Sequence, residues 1–76
     1  MIESRFVVLE ERNREMFEDV LPKGTTMATA KEKARNAWER LTAYEKQSTY
    51  VFLALMDFDT ETEMLNYDAY DTFDLF

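Results

Sequence analysis

The chain has 76 residues, neither cysteine nor histidine, and a formal net charge of −7 at pH 7. This length allows one hydrophobic core and therefore one domain, and an apolar fraction of 46% excludes a chain that is disordered throughout. Without cysteine or histidine the chain lacks disulfide staples, a thiolate nucleophile, the usual general base near neutral pH, and the nitrogen and sulfur ligands of zinc or iron.

The amino-terminal part predicts a strand followed by an ambiguous stretch. Residues 5–9 read Arg-Phe-Val-Val-Leu, which is typical of a strand. In residues 9–21 the apolar side chains after position 15 have helical spacing, which favours a helix. Arg12-Asn13-Arg14, in contrast, is typical of a hairpin turn, and Pro22-Lys23-Gly24 would end either element. The local pattern leaves helix and hairpin open.

The clearest predicted element is an amphipathic helix over residues 29–41. Its apolar residues fall within one stripe about 120° wide at about 100° per residue. They are Ala30, Ala34, Ala37, Trp38 and Leu41. Thr26 or Thr29 can cap the start of the helix. A short helical turn is predicted to follow at Thr42, which matches a capping box with Glu45.

The apolar run Tyr50–Met56 predicts a central strand that is covered on both faces, because it does not alternate between apolar and polar residues. It is the longest apolar run of the chain and is far shorter than the roughly 20 residues that a membrane-spanning helix needs. We therefore expect no membrane span.

Residues 38–46, which read Trp-Glu-Arg-Leu-Thr-Ala-Tyr-Glu-Lys, match a W-x-x-L-T-x-x-E-K signature after an alanine-rich helix. In this the chain resembles small uncharacterised bacterial proteins, often from mobile elements. The resemblance covers roughly residues 5–58. It implies an α+β fold with a β-hairpin, a main helix, a short helical turn and a strand, in which the helix packs on one face of a small three-stranded antiparallel sheet. It implies no activity, and it favours the hairpin over residues 9–21.

The charge is divided by position along the chain. Residues 1–56 hold nine acids and nine bases, whereas residues 57–76 hold seven acids and no base. The seven acids are Asp57, Asp59, Glu61, Glu63, Asp68, Asp71 and Asp74. A segment of one sign repels phosphate and attracts basic surfaces. We expect a compact domain over residues 1–58, an acidic aromatic segment over residues 59–76 that packs partly on it, and no direct binding of nucleic acid.

No constellation of residues predicts catalysis or a cofactor. Gly24 is the only glycine, which excludes a glycine-rich phosphate loop. Acid pairs such as Asp57 and Asp59 could act as general acid and base, but exposed pairs of this kind are far more often solvated surface. We expect a non-enzymatic cytoplasmic protein that binds no cofactor.

The start of the acidic aromatic segment fits three interpretations. Asp57, Asp59, Glu61 and Glu63 echo the spacing of a calcium loop, although Thr62 stands where such a loop needs glycine. Thr60 and Glu63 match a second capping box, which would start a helix. An acidic turn that leaves the strand is the third interpretation and the one that we favour.

The end of the segment alternates aromatic residues with aspartates. Its candidate partner-binding residues are Tyr67, Asp68, Tyr70, Asp71, Phe73, Asp74 and Phe76. One interpretation is packing of these rings on the small core. Another is docking on a basic, hydrophobic surface of another protein, with rings as anchors and aspartates setting orientation. The alternative function is a nucleic-acid mimic that inhibits a DNA- or RNA-binding enzyme. An exposed sheet edge also leaves self-association open.

Overall fold

The computed structural model describes residues 1–76 and has an α+β fold. The elements are β1 (Ile2–Arg12), β2 (Glu15–Val20), α1 (Met27–Glu39), α2 (Ala43–Lys46), β3 (Thr49–Asp59), β4 (Met64–Leu65) and β5 (Asp71–Phe73). All strand pairs are antiparallel, and the sheet order is β2-β1-β3-β4, with β5 also paired to β3. The predicted fold class, with one main helix on a small antiparallel sheet, is confirmed.

Residues 9–21 form a hairpin and not a helix. β1 and β2 pair from Val7 with Val20 to Arg12 with Glu15. The two turn residues, Asn13 and Arg14, have φ values of 52° and 66°. Two positive φ angles are characteristic of the type I′ turn, whose twist matches that of the flanking strands. Pairing with β1 therefore overrides the helical spacing of the apolar side chains.

The hairpin turn carries a conformational cost that one substitution can remove. A residue with a Cβ loses about 1–2 kcal/mol in the left-handed region, while glycine loses about 0.5–1 kcal/mol through its greater freedom in the unfolded chain. We expect Arg14→Gly to raise the free energy of unfolding by about 0.5 kcal/mol, measured by urea denaturation. Arg14→Ala removes the same charge and keeps the Cβ, so it should not stabilise. Equal stability of the two variants would contradict this explanation.

The core has two halves because successive strand residues point to opposite faces of the sheet. On the face covered by α1, here called the helix face, the buried cluster is Val8, Leu21, Ala30, Ala34 and Leu53. On the opposite face, here called the open face, the buried cluster is Val7, Leu9, Ala54 and Met56. β3 lies between β1 and the short strands β4 and β5, and it contributes to both clusters, which explains why its apolar run does not alternate.

α1 packs on the sheet through small side chains. Ala30 and Ala34 are fully buried, so the helix backbone approaches β1 and β3 closely. The helix begins two residues before the predicted start because Thr26 is the cap and accepts a hydrogen bond from the Thr29 amide at 3.2 Å. The predicted capping box of α2 is present. Glu45 N–H donates to the Thr42 hydroxyl at 3.1 Å, and Thr42 N–H donates to the Glu45 carboxylate at 2.9 Å.

The sheet has five strands where three were expected, because the acidic aromatic segment adds β4 and β5 to the outer edge of β3. β4 pairs with the end of β3 and β5 with its middle, from Leu53 to Leu55. No helix of the structure has the length and apolar character needed to cross a membrane.

Candidate interaction surface

Two side chains near the end of the chain are held against the helix face. The Phe73 ring meets the Phe6 ring edge-on, with the ring centres 6.0 Å apart and the planes at 64°. Leu75 packs against the same cluster, and its carbonyl accepts a hydrogen bond from Arg35 Nε at 2.6 Å. Phe73 and Leu75 thus fix the last residues on the domain.

Tyr67 makes a separate attachment on the open face. Its hydroxyl donates a hydrogen bond to the Glu18 carboxylate on β2. Tyr67 lies two residues after β4, and Glu18 lies opposite Leu9 on the open face of β2, so this hydrogen bond links the segment to the far edge of the sheet. Residues 67–76 therefore contact both faces of the sheet.

The remaining candidate partner-binding residues face solvent. Asp68, Asp71 and Asp74 are exposed and form no ion pair. The Tyr70 side chain is 42% exposed and Phe76 is 84% exposed. These exposed carboxylates and rings therefore lie on a segment that Tyr67, Phe73 and Leu75 attach to the domain.

Phe76 borders a mostly apolar cavity of about 420 Å³ between the end of α1, the start of β3 and the residues after β5. The cavity is lined in part by Trp38, Tyr50, Val51, Phe52 and Leu75. The Lys46 ammonium lies 5.5 Å from the centre of the Trp38 ring at its border. Sequence reasoning missed this cavity, because its lining combines residues from α1, β3 and the end of the chain that are distant in sequence.

The acids that begin the segment form a turn, as the favoured interpretation predicts. Asp57 and Asp59 belong to β3, and the Asp59 carboxylate accepts hydrogen bonds from the amides of Glu61, at 2.9 Å, and Thr62. Residues 60–63 form the turn to β4. No helix starts at Thr60, so the interpretation as a second capping box is wrong.

The calcium interpretation finds no matching geometry. Asp57 and Asp59 lie in an extended strand, and the Asp59 carboxylate is engaged by backbone amides. In the structure no three acidic side chains come together in a way that could hold a metal ion. The carboxylates of the segment are distributed over β3, the following turn, the loop before β5, β5 itself and, for Asp74, the residues after β5.

Three carboxyl groups have pKa values below their ordinary ones. The pKa of Glu3 is lowered chiefly by its bond to Lys23, that of Glu45 by the Thr42 amide, and that of Asp59 by the Glu61 amide. Each group binds its proton less tightly in the folded state than in the unfolded chain, so its stabilising effect is present above its unfolded pKa and is lost as the pH falls through the folded pKa.

We therefore expect the free energy of unfolding to decrease as the pH falls below about 4.5, the ordinary pKa of a glutamate. Urea denaturation at a series of pH values from 7 to 2.5 measures this. Glu45→Gln removes one of the three groups and should flatten the dependence. An unchanged slope in that variant would show that the Thr42 amide does not lower the pKa of Glu45.

No known protein family, curated protein or solved structure matches this chain. The resemblance of residues 38–46 to mobile-element proteins stays a prediction, and the function has to be argued from the surface alone.

Proposed function

We propose that this chain is a non-enzymatic protein-interaction domain, and that the acidic aromatic segment docks it on a basic surface of another protein. The observation that carries the proposal is that residues 67–76 are held on the domain by some side chains while others remain exposed to solvent. Phe73 and Leu75 are packed on the core, while Asp68, Asp71 and Asp74 are exposed and unpaired.

Anchoring matters because a flexible segment loses conformational entropy when it becomes ordered on a partner, and this loss weakens binding. A flexible tail would lose about 0.5–1.5 kcal/mol for each side chain that it immobilises at an interface. Here β5, Phe73 and the Tyr67 hydroxyl already hold the chain in place. Phe76, at 84% exposed, and Tyr70 are the rings that remain free to enter a pocket on a partner.

Charge defines the class of partner. The segment has no base to neutralise its acids, so its field attracts a basic protein surface and speeds the encounter. The alternative function, a nucleic-acid mimic, needs carboxylates that follow the regular spacing of phosphates. The carboxylates here are distributed over a strand, a turn, a loop, a second strand and the residues after it, which favours docking on a protein.

The test removes the exposed charges of the segment and leaves Tyr67, Phe73 and Leu75, which attach it to the domain, unchanged. The triple variant Asp68→Asn, Asp71→Asn, Asp74→Asn removes three exposed carboxylates, and Phe76→Ala removes the exposed ring. A matched control, Glu10→Gln, Glu11→Gln, Glu32→Gln, changes the net charge equally at unpaired positions outside the acidic aromatic segment. Each protein captures partners from a lysate of the source cells, and each partner found is purified and titrated by calorimetry.

We expect a purified partner that binds the unaltered chain and the matched control equally. Its affinity should fall about tenfold with the triple variant and about tenfold with Phe76→Ala, since each change removes roughly 1.4 kcal/mol of binding energy. If the matched control binds the partner as weakly as the triple variant does, the loss of affinity comes from net charge alone, and the proposal is contradicted. A partner that is a nucleic-acid-binding enzyme, displaced by its own DNA or RNA, would establish the mimic instead.

A further inference from the structure

We propose a second interaction site at the other edge of the sheet, where the free edge of β2 accepts a basic, extended segment of another protein as an added strand. β2 spans Glu15–Val20 and is hydrogen-bonded on one side only, to β1. The strands of the acidic aromatic segment lie at the opposite edge, beyond β3, and the segment reaches β2 through the hydrogen bond from the Tyr67 hydroxyl to Glu18.

The backbone groups available at this edge follow from the register. Leu21 N–H donates to the Phe6 carbonyl at 2.9 Å, so Phe6 and Leu21 form a hydrogen-bonded pair. In an antiparallel ladder such pairs alternate with pairs that are not hydrogen-bonded. The amides and carbonyls of Met16, Glu18 and Val20 therefore point away from β1, into solvent. Pairing with an added strand would satisfy them, as in β-strand addition generally.

The side chains of β2 leave room for an added strand. Phe17 is 44% exposed and Met16 is 39% exposed, on opposite faces of the strand. On the helix face, α1 packs on β1 and β3, and a groove of about 370 Å³ lies beside Phe17 and Asp19. Lys33, Asn36, Ala37 and Arg40 line the groove on the side of α1. Apolar side chains of an incoming strand would find Phe17 and Met16 as neighbours.

Charge selects the occupant. β2 carries three acids, Glu15, Glu18 and Asp19, and no base. None of the three forms an ion pair within the chain. Opposite charges directly across a strand pair stabilise it, and like charges destabilise it. Lysine or arginine in the added strand would meet Glu15 and Asp19 on the helix face. On the open face it would meet Glu18, which accepts a hydrogen bond from the Tyr67 hydroxyl but has no basic partner.

A second copy of this chain fits the edge poorly. Two β2 strands related by a twofold axis must pair outward-facing residues with outward-facing residues, which leaves four registers near the middle of the strand, centred on Met16, Phe17, Glu18 or Asp19. Centring on Glu18 places the two Glu18 side chains directly opposite, and centring on Asp19 does the same for Asp19. Centring on Phe17 places Glu15 opposite Asp19 twice. The register centred on Met16 opposes no like charges, but it pairs only residues 15–17 of each β2. Since the other three registers oppose like charges, the edge disfavours its own copy and favours a basic strand.

The test uses a defined peptide as the probe. The peptide is acetyl-Lys-Val-Lys-Phe-Arg-Val-Lys-amide, and the control has the same sequence with every amide N-methylated, so it keeps the charge and the side chains but donates no backbone hydrogen bond. Binding and hydrogen exchange are followed by NMR on the full chain labelled with ¹⁵N. We expect exchange at the amides of Met16, Glu18 and Val20 to slow at least tenfold with the peptide. Phe17 and Asp19, already bonded to β1, should change much less.

Variants separate this site from the acidic aromatic segment. Glu15→Gln with Asp19→Asn should weaken the peptide about three- to tenfold, as expected for two exposed charge pairs. Glu32→Gln with Glu63→Gln is the charge-matched control and should leave its affinity within about twofold. The triple variant Asp68→Asn, Asp71→Asn, Asp74→Asn should also leave the affinity for the peptide unchanged. The proposal for the β2 edge and the proposal for the acidic aromatic segment can therefore fail separately. Equal binding of the N-methylated peptide, or saturation without protection of the three alternating amides, would overturn the proposal.

Discussion

Replacing Leu53 with alanine is expected to lower the free energy of unfolding by about 3 kcal/mol. Leu53 is fully buried at the middle of β3, with Val8 opposite it on β1 and Phe73 opposite it on β5. The substitution removes apolar surface and leaves a cavity that the rigid sheet closes poorly. A chain of this length has a total stability of roughly 4–11 kcal/mol, so the variant should lose a large share of it.

Leu55→Ala is the matched control for this prediction. Leu55 points to the same face two residues later and is only partly buried, so the same chemical change should cost about 1–2 kcal/mol. Urea denaturation at pH 7, followed by the fluorescence of Trp38, measures both. Equal losses would show that the core is not centred on Leu53.

Much of the fold was predictable from local patterns. The apolar run around Leu53 required a strand buried on both faces, and the alanine stripe around Ala34 required a helix packed closely on a sheet. The capping box at Thr42 predicted where α2 begins, because both of its hydrogen bonds form within four residues. These features depend on neighbours in sequence, which is why the pattern contains them.

The hairpin and the short strands were harder to predict because their stability comes from distant residues. Phe17 and Val20 fit a helix locally, and only pairing with β1 makes them part of a strand. β4 and β5 have two and three residues, and their sequences carry no strong preference for a strand. They exist because β3 presents an unpaired edge to them.

The candidate site was predictable only in part. The sequence identified the exposed acids, since carboxylates without a nearby base are expected at the surface, and six of the seven are exposed while Asp59 is half-buried. It did not separate Phe73 from Phe76, because both follow the same aromatic pattern. The register decides between them, since Phe73 pairs with Leu53 while Phe76 lies beyond the last strand. The bond between Tyr67 and Glu18 joins residues 49 positions apart, and no local signal marks it.

The structure also predicts the effect of removing residues 66–76, the second half of the acidic aromatic segment. A chain that ends at Leu65 should be largely unfolded at 25 °C, because it lacks β5, the Phe73 ring against Phe6, and Leu75 against the helix-face cluster. Burying a large apolar side chain contributes about 1.5–3 kcal/mol, so two partly buried ones together with the strand pairing approach the total stability of a small domain. Circular dichroism and urea denaturation of the shortened chain measure this.

Single substitutions show which part of the segment matters for folding. Phe73→Ala should cost about 2 kcal/mol, less than for a fully buried ring, whereas Asp74→Asn, one residue later and exposed, should change stability by less than about 0.5 kcal/mol. A shortened chain as stable as the full one would mean that β5 contributes nothing to the core. If the prediction holds, loss of a partner on truncation would report unfolding rather than docking. Only substitutions at the exposed carboxylates and rings can then separate binding from stability.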